Sequence, residues 1–306
     1  MNAKNQAWLP VEFIKVGPHH LVKLVDANKL DLSFGFLSAS LMLVEKKGHS
    51  IRVVSLEKWL EKATFVEEST QEQPGFIFHV ARCGSTLLCQ NLKNTGRFIV
   101  LGEPIFFHDI YKNDDNIPSE QRSAIVTQTL MSWRIWSGQQ EKTLLLKLSS
   151  SLNLYREQIQ KDFPESKVLF LYREPIAVLE SMTRKVPGYL SEINNQELEL
   201  INRAVAVYKT SLMTIPITLN ENFASIDYTM LESHFEKIVC YFSRTPHLNS
   251  QTLLWSKEWS AKNKSSSNKT YIPQPKQNLQ NFYNKHRSII DPVFPYYKGI
   301  NPIPPK

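Results

Sequence analysis

Five short apolar runs separated by helical patterns limit this chain to few architectures. The runs are GFIFHV (75–80), RFIVL (97–101), TLLLKL (143–148), KVLFLY (167–172) and the weaker ASIDY (224–228). They are continuous rather than alternating, the pattern of strands buried on both faces. Between most of them lie longer stretches with apolar residues at helical spacing: STLLCQNLKN, SEQRSAIVTQTLMSWRIW, NLYREQIQKDF, IAVLESMTRK and LELINRAVAVYKTSLMT. Buried strands alternating with helices predict a three-layer α/β sandwich around a central parallel sheet. Ligands in such folds collect beyond the carboxyl ends of the strands, so out-of-place polar residues should stand there.

A polar link, EESTQEQPG, ends at Gly75 and marks a boundary. Residues 1–73 are expected to form a small, mostly helical segment packed on the core, and residues 74–306 the α/β domain. The helical expectation rests on Leu30 to Lys46 and on SLEKWLEKA, which Ser55 opens. An excess of 36 Lys and Arg over 29 Asp and Glu gives a net charge of +7, spread along the chain. That balance suits an anionic ligand. A nucleic-acid binder would concentrate basic residues and aromatics on one element, and the one dense basic stretch, KEWSAKNKSSSNK (257–269), has the character of a solvated loop. No apolar run approaches the roughly 20 residues of a membrane span, and MNAKNQAWLP lacks the order of an export signal. Cys83, Cys89 and Cys240 match neither a disulfide framework nor metal-ligand spacing. The expectation is a cytoplasmic protein with no bound metal and no membrane or nucleic-acid partner.

Each strand end carries a polar signal. After the first run come Ala81-Arg82-Cys83-Gly84-Ser85-Thr86-Leu87, a tight turn opening a helix. Backbone N–H groups at a helix N-terminus, with a fixed arginine beside them, form an anion site. The nucleotide-triphosphate loop G-x-x-x-x-G-K-[ST] is a poor match, because the first glycine is missing and Ser85 stands where lysine should. Gly84-Ser85-Thr86 alone is also compatible with an ordinary helix cap. The second run ends in Gly102-Glu103-Pro104. Glu103 is a candidate general base, because burial beside an anion brings a carboxyl's proton affinity toward neutrality; the alternative is a structural ion pair, for example with Arg82. Lys147 sits within the third run and must snorkel or meet an anion. Arg173-Glu174-Pro175 closes the fourth run, with Ser181 about two turns along the following helix.

Together these pieces resemble the sulfotransferases that use 3′-phosphoadenylyl sulfate (PAPS). That family's P-x-[KR]-S-G-T-T loop is matched by Ala81 to Thr86, and its R-[DN]-P-x-x-V-x-x-S motif by Arg173 to Ser181. The loop is most similar to bacterial proteins with F-H-x-[SA]-R-C-G-S-T-L-L, and FPESKVLFLYREPIAVLESMTRKV resembles the corresponding run of tyrosylprotein sulfotransferases. The resemblance covers about residues 75–230. Its departures are Ala81 for proline, Glu174 for aspartate, and the absence of a G-x-x-G-x-W-K segment near the C-terminus.

The resemblance implies a P-loop-like fold and PAPS as sulfuryl donor. It implies that Arg82, Cys83, Gly84, Ser85, Thr86 and Leu87 hold the 5′-phosphosulfate and that Arg173 and Ser181 hold the 3′-phosphate. Tyr228 and Lys257, or in place of Lys257 Lys262 or Lys264, would complete the cofactor set. Glu103 would take the acceptor's proton beside Lys147, with His108 as pocket wall or alternative base. The acceptor is expected to be a small metabolite or natural product with a hydroxyl or amine. His79, Trp133, Trp136, Phe106 and Phe107 are expected to be structural or pocket wall, and a tail around His286 and Arg287 to fold over the sheet. Cys83 shows no histidine partner for nucleophilic work. Two rival functions stay open: a nucleotide-dependent kinase or hydrolase, and a non-catalytic module that binds the desulfated cofactor PAP.

Overall fold

The computed structural model describes residues 8–31, 36–48, 51–62, 73–112, 117, 119–137, 142–186, 197–216, 221–243, 255–256 and 275–300. The five apolar runs form a five-stranded parallel sheet: β4 (Gly75–His79), β5 (Phe98–Gly102), β6 (Thr143–Lys147), β7 (Val168–Tyr172) and β8 (Phe223–Asp227). Every residue of these strands is buried, as expected of a sheet covered on both faces. The spatial order is β5-β6-β4-β7-β8. The chain leaves central β4 to one side for β5 and β6 and to the other for β7 and β8. The carboxyl end of β4 is therefore a switch point, where a crevice forms.

The covering helices are α3 (Ser85–Asn94), α4 (Ile105–Lys112), α5 (Ser119–Ser137), α6 (Arg156–Asp162), α7 (Pro175–Arg184), α8 (Glu197–Met213) and α9 (Phe235–Phe242). A 3-10 stretch, Ser150–Tyr155, precedes α6. Gly75 opens β4 without a side chain because a Cβ there would come within 2.6 Å of Leu145 and 2.7 Å of Phe242. Phe106, Phe107 and Trp133 are fully buried, so they belong to the core. Among the described residues no helix is long and apolar enough to cross a membrane.

The N-terminal segment corrects the helical expectation. It contains a three-stranded antiparallel sheet, β1 (Trp8–Val16), β2 (His19–Asp26) and β3 (Ile51–Ser55), together with α1 (Leu37–Lys46) and α2 (Leu56–Lys62). The helices lie where the apolar spacing puts them, and Ser55 Oγ accepts from Lys58 N at 3.2 Å as a cap. In β1, Pro10 and a register shift between Pro10 and Glu12 interrupt the alternation; proline is tolerated there because β1 is an edge strand. The same irregularity serves docking. Trp133 Nε1 on α5 donates to the Pro10 carbonyl at 3.0 Å, and Asp109 on α4 accepts from Phe13 N at 3.0 Å.

The C-terminal part described, α10 (Lys276–Ile290), a 3-10 turn and α11 (Phe294–Lys298), packs against α7 and α8 and reaches the end of β8. The tail does fold over the sheet domain. Its residue His286 is buried and its Nε2 lies 3.2 Å from Glu197 Oε1 at the start of α8.

Because Trp133 holds Pro10 through a buried bond, Trp133→Phe leaves that carbonyl without its donor. The expected cost is roughly 1–3 kcal/mol, read as a lower urea midpoint; an unchanged midpoint would show that the N-terminal sheet adds nothing to core stability.

Candidate active site

The loop between β4 and α3 is built under strain. Arg82 has φ 61° and Gly84 φ 95°, and a left-handed backbone costs a non-glycine residue roughly 1–2 kcal/mol. Glycine is required at position 84 for a second reason: a Cβ there would meet the Tyr228 ring at 2.5 Å. Gly84 is the N-cap of α3, and no side chain caps that helix. Ser85 and Thr86 are buried, and their hydroxyl oxygens have no hydrogen-bond partner. Buried hydroxyls beside an uncapped helix N-terminus make a cradle suited to an anion.

The N-terminus of α7 is the opposite case. Glu174 caps it, its carboxylate accepting from Ala177 N at 2.9 Å and Ile176 N at 3.1 Å. Pro175 occupies the first turn, where its missing N–H costs nothing. The chain's own carboxylate thus fills the α7 terminus and leaves that of α3 for a ligand.

Arg82 and Arg173 stand at the carboxyl ends of adjacent strands β4 and β7. The Arg82 Nη2 donates to the Lys185 carbonyl at 2.8 Å, at the C-terminal end of α7. Arg173 immediately precedes that helix, so α7 runs between the two arginines, with Ser181 in its last turn. The Arg173 guanidinium lies 4.4 Å from the centre of the Tyr228 ring, the same ring that packs on Gly84. Tyr208 Oη donates to the Arg173 carbonyl at 2.5 Å and pins its backbone.

On the other side of β4 stand Glu103 and Lys147. Glu103 also has a left-handed backbone, φ 48°. Among the described residues, it and Arg82 are the non-glycine residues with positive φ, and such strain gathers at functional positions. Lys147 Nζ donates to Glu103 Oε1 at 2.6 Å. The lysine side chain is 0% exposed and the glutamate 27% exposed, so the carboxylate reaches solvent while the ammonium stays inside. The expected structural partner was Arg82 and the expected neighbour an anion; the pair formed is with Lys147. The Phe36 ring, from the N-terminal segment, lies 4.4 Å from Lys147 Nζ.

Several neighbours were not legible as site residues. His79, read as structural, is buried with Nε2 3.9 Å from Glu103 Oε1. Lys93 on α3 is lowered by burial, with Lys147 acting in the same direction. Tyr172 and Asp227 end β7 and β8 and follow the strand-end rule that found the others. Phe36 carried no signal, because its segment has no pattern tying it to the sheet. Cys83 is fully buried. Lys257, Lys262 and Lys264 lie outside the described residues. His108 is half-buried on α4, the helix that follows Glu103.

Burial first, and then Lys112, lower His108 below its ordinary 6.5. The unfolded chain therefore binds this proton at a higher pH than the folded one. The contribution to stability is complete above the ordinary value and is lost as the pH falls through the depressed folded value. A His108→Gln variant should show a flatter stability profile as the pH falls below the ordinary 6.5, measured by urea unfolding at each pH; an unaltered slope would exclude His108 as its source.

No family model matches this chain, and no curated protein matches it. Among solved structures, a sulfotransferase from Mycobacterium avium matches with 13% identity and a TM-score of 0.48, over 77% of this chain and 81% of that one. A sulfotransferase from Alicyclobacillus acidocaldarius matches with 12% identity and a TM-score of 0.43, over 74% and 95%. The sulfotransferase domain from the curacin biosynthetic pathway matches with 15% identity and a TM-score of 0.36, over 71% of this chain and 99% of that domain.

Proposed function

We propose that this chain is a sulfotransferase that moves a sulfuryl group from PAPS to a hydroxyl or amine of a small-molecule acceptor. The observation that carries the reading is one sheet edge shared by an uncapped helix N-terminus with buried, unpartnered hydroxyls and a carboxylate–ammonium pair. The terminus is that of α3 with Ser85 and Thr86, and the pair is Glu103–Lys147. A nucleotide-triphosphate enzyme would need a lysine where Ser85 stands.

The cofactor fits the residues present. The Ser85 and Thr86 hydroxyls, the first-turn amides of α3 and Arg82 would hold the 5′-phosphosulfate. Arg173, with Ser181 along α7 and the Tyr228 ring beneath its guanidinium, would hold the 3′-phosphate; a planar guanidinium suits such bidentate work. PAPS supplies the sulfuryl group, with a 5′-phosphate as leaving group. Glu103 would take the O–H or N–H proton of the acceptor whose oxygen or nitrogen receives the sulfuryl group, with PAP as the leaving product. Sulfuryl transfer resembles phosphoryl transfer, in which positioning and charge stabilisation supply most of the rate. Lys147, held on Glu103 at 2.6 Å, would place its positive charge behind the carboxylate and beside the transferring group. Arg82 and the α3 amides are preorganised donors for charge developing on the phosphate.

Thermal shift with PAP, AMP and ATP with Mg²⁺ tests the donor: PAP should stabilise most, and stabilisation by ATP with Mg²⁺ alone would overturn the reading. Arg173→Ala should weaken PAP binding about tenfold or more. Glu103→Gln should keep PAP affinity and lose at least about a hundredfold in turnover, assayed with labelled PAPS against a metabolite extract. Equal loss of PAP in both variants would refute this division of labour.

A further inference from the structure

Tyr297, seventy residues after the end of β8 and far from every motif, touches the residues that precede both Arg173 and Tyr228. Its hydroxyl donates to Asp227 Oδ2 at 2.8 Å, and Asp227 immediately precedes Tyr228. Its ring meets Tyr172 edge-on at 6.0 Å between centres, and Tyr172 immediately precedes Arg173. Tyr172 and Asp227 face each other in the register of β7 and β8. One side chain from α11 thus braces the rung from which the Arg173–Tyr228 pair projects.

The brace acts on backbone direction. The other oxygen of Asp227 accepts from Thr229 N at 2.8 Å and Thr229 Oγ1 at 2.7 Å, capping the 3-10 turn Tyr228–Met230. That turn sets where the Tyr228 ring goes, against Gly84 on one side and under the Arg173 guanidinium on the other. Asp227 is buried, and a buried carboxylate needs its lone pairs filled. With Thr229 serving one oxygen, Tyr297 serves the second. Burial, and then Asp227 itself, push the Tyr297 phenol up, so it stays a donor at any physiological pH.

We infer that Tyr297 is a positioning residue: through Asp227 it fixes Tyr228 and Arg173, and so sets the affinity of the site for a nucleotide's 3′-phosphate. The inference rests on the function proposed above. It predicts a selective effect, because the brace reaches the α3 cradle only where the Tyr228 ring packs on Gly84, whereas it aligns the Arg173 guanidinium that would take the 3′-phosphate. Loss of the brace should weaken ligands with a 3′-phosphate and spare those with a 5′-phosphate alone.

The test is calorimetric titration of PAP and of AMP into wild type, Tyr297→Phe and Asp227→Asn, with melting temperatures alongside. Tyr297→Phe removes one hydroxyl and keeps the ring on Tyr172. Its PAP affinity should fall about tenfold, the scale of one hydrogen bond to a charged group, with AMP affinity unchanged. Asp227→Asn should show the same selective loss and carries the test if Tyr297→Phe fails to fold; combining both should add little. An unchanged preference for PAP over AMP in a folded Tyr297→Phe protein overturns the inference and leaves the proposed function standing. Equal weakening of both ligands also overturns it, because the brace would then be general scaffolding. Wild-type protein with no preference for PAP overturns the proposed function, and this inference with it.

Discussion

A sheet buried on both faces has no room for charge except at its ends, and that constraint organises the molecule. All five parallel strands are fully enclosed, so an ionisable side chain on them survives only at the carboxyl edge, where loops open. Lys147 is the sharpest instance. It is the last residue of β6 and wholly inaccessible, and a buried ammonium without a partner would be severely penalised. Glu103, from the end of neighbouring β5, removes that penalty at 2.6 Å, and the Phe36 ring adds a favourable quadrupole.

The same edge stores strain. Arg82 and Glu103 adopt left-handed backbones because each must turn the chain sharply out of a buried strand while keeping its side chain at the site. Two helix N-termini then divide the electrostatic work. The α7 terminus is neutralised internally by Glu174, whereas the α3 terminus is left with buried, unpartnered hydroxyls. The edge thus carries an uncapped helix terminus at α3 and two guanidinium groups, Arg82 and Arg173, near opposite ends of α7.

Segments outside the sheet supply what the motifs lack. The N-terminal sheet, docked through Trp133 and Asp109, carries the helix whose first flank brings Phe36 to Lys147. The C-terminal helices bring Tyr297 to Asp227 and His286 to Glu197. The two flanking segments therefore reach the carboxyl edge of the sheet, one on the side of the Glu103–Lys147 pair and the other on the side of Arg173.

The positions and nature of the sheet-domain elements along the chain were legible in the sequence, because continuous apolar runs admit few states other than buried strands and helical spacing is a strong periodic signal. So were Arg82, Gly84, Glu103, Lys147 and Arg173, each conspicuous as a polar or turn residue at the end of an apolar run. The N-terminal strands were not, and in β1 a proline and a register shift interrupt the two-residue period. Pairings were not legible either. That Glu103 meets Lys147 rather than Arg82 follows from the β5–β6 register, and that Tyr297 meets Asp227 follows from how the last helix folds back. Local sequence determines which residues stand at a strand end; only three-dimensional packing decides which charges are neighbours, because contact between distant segments depends on strand order and helix docking, which no local pattern encodes.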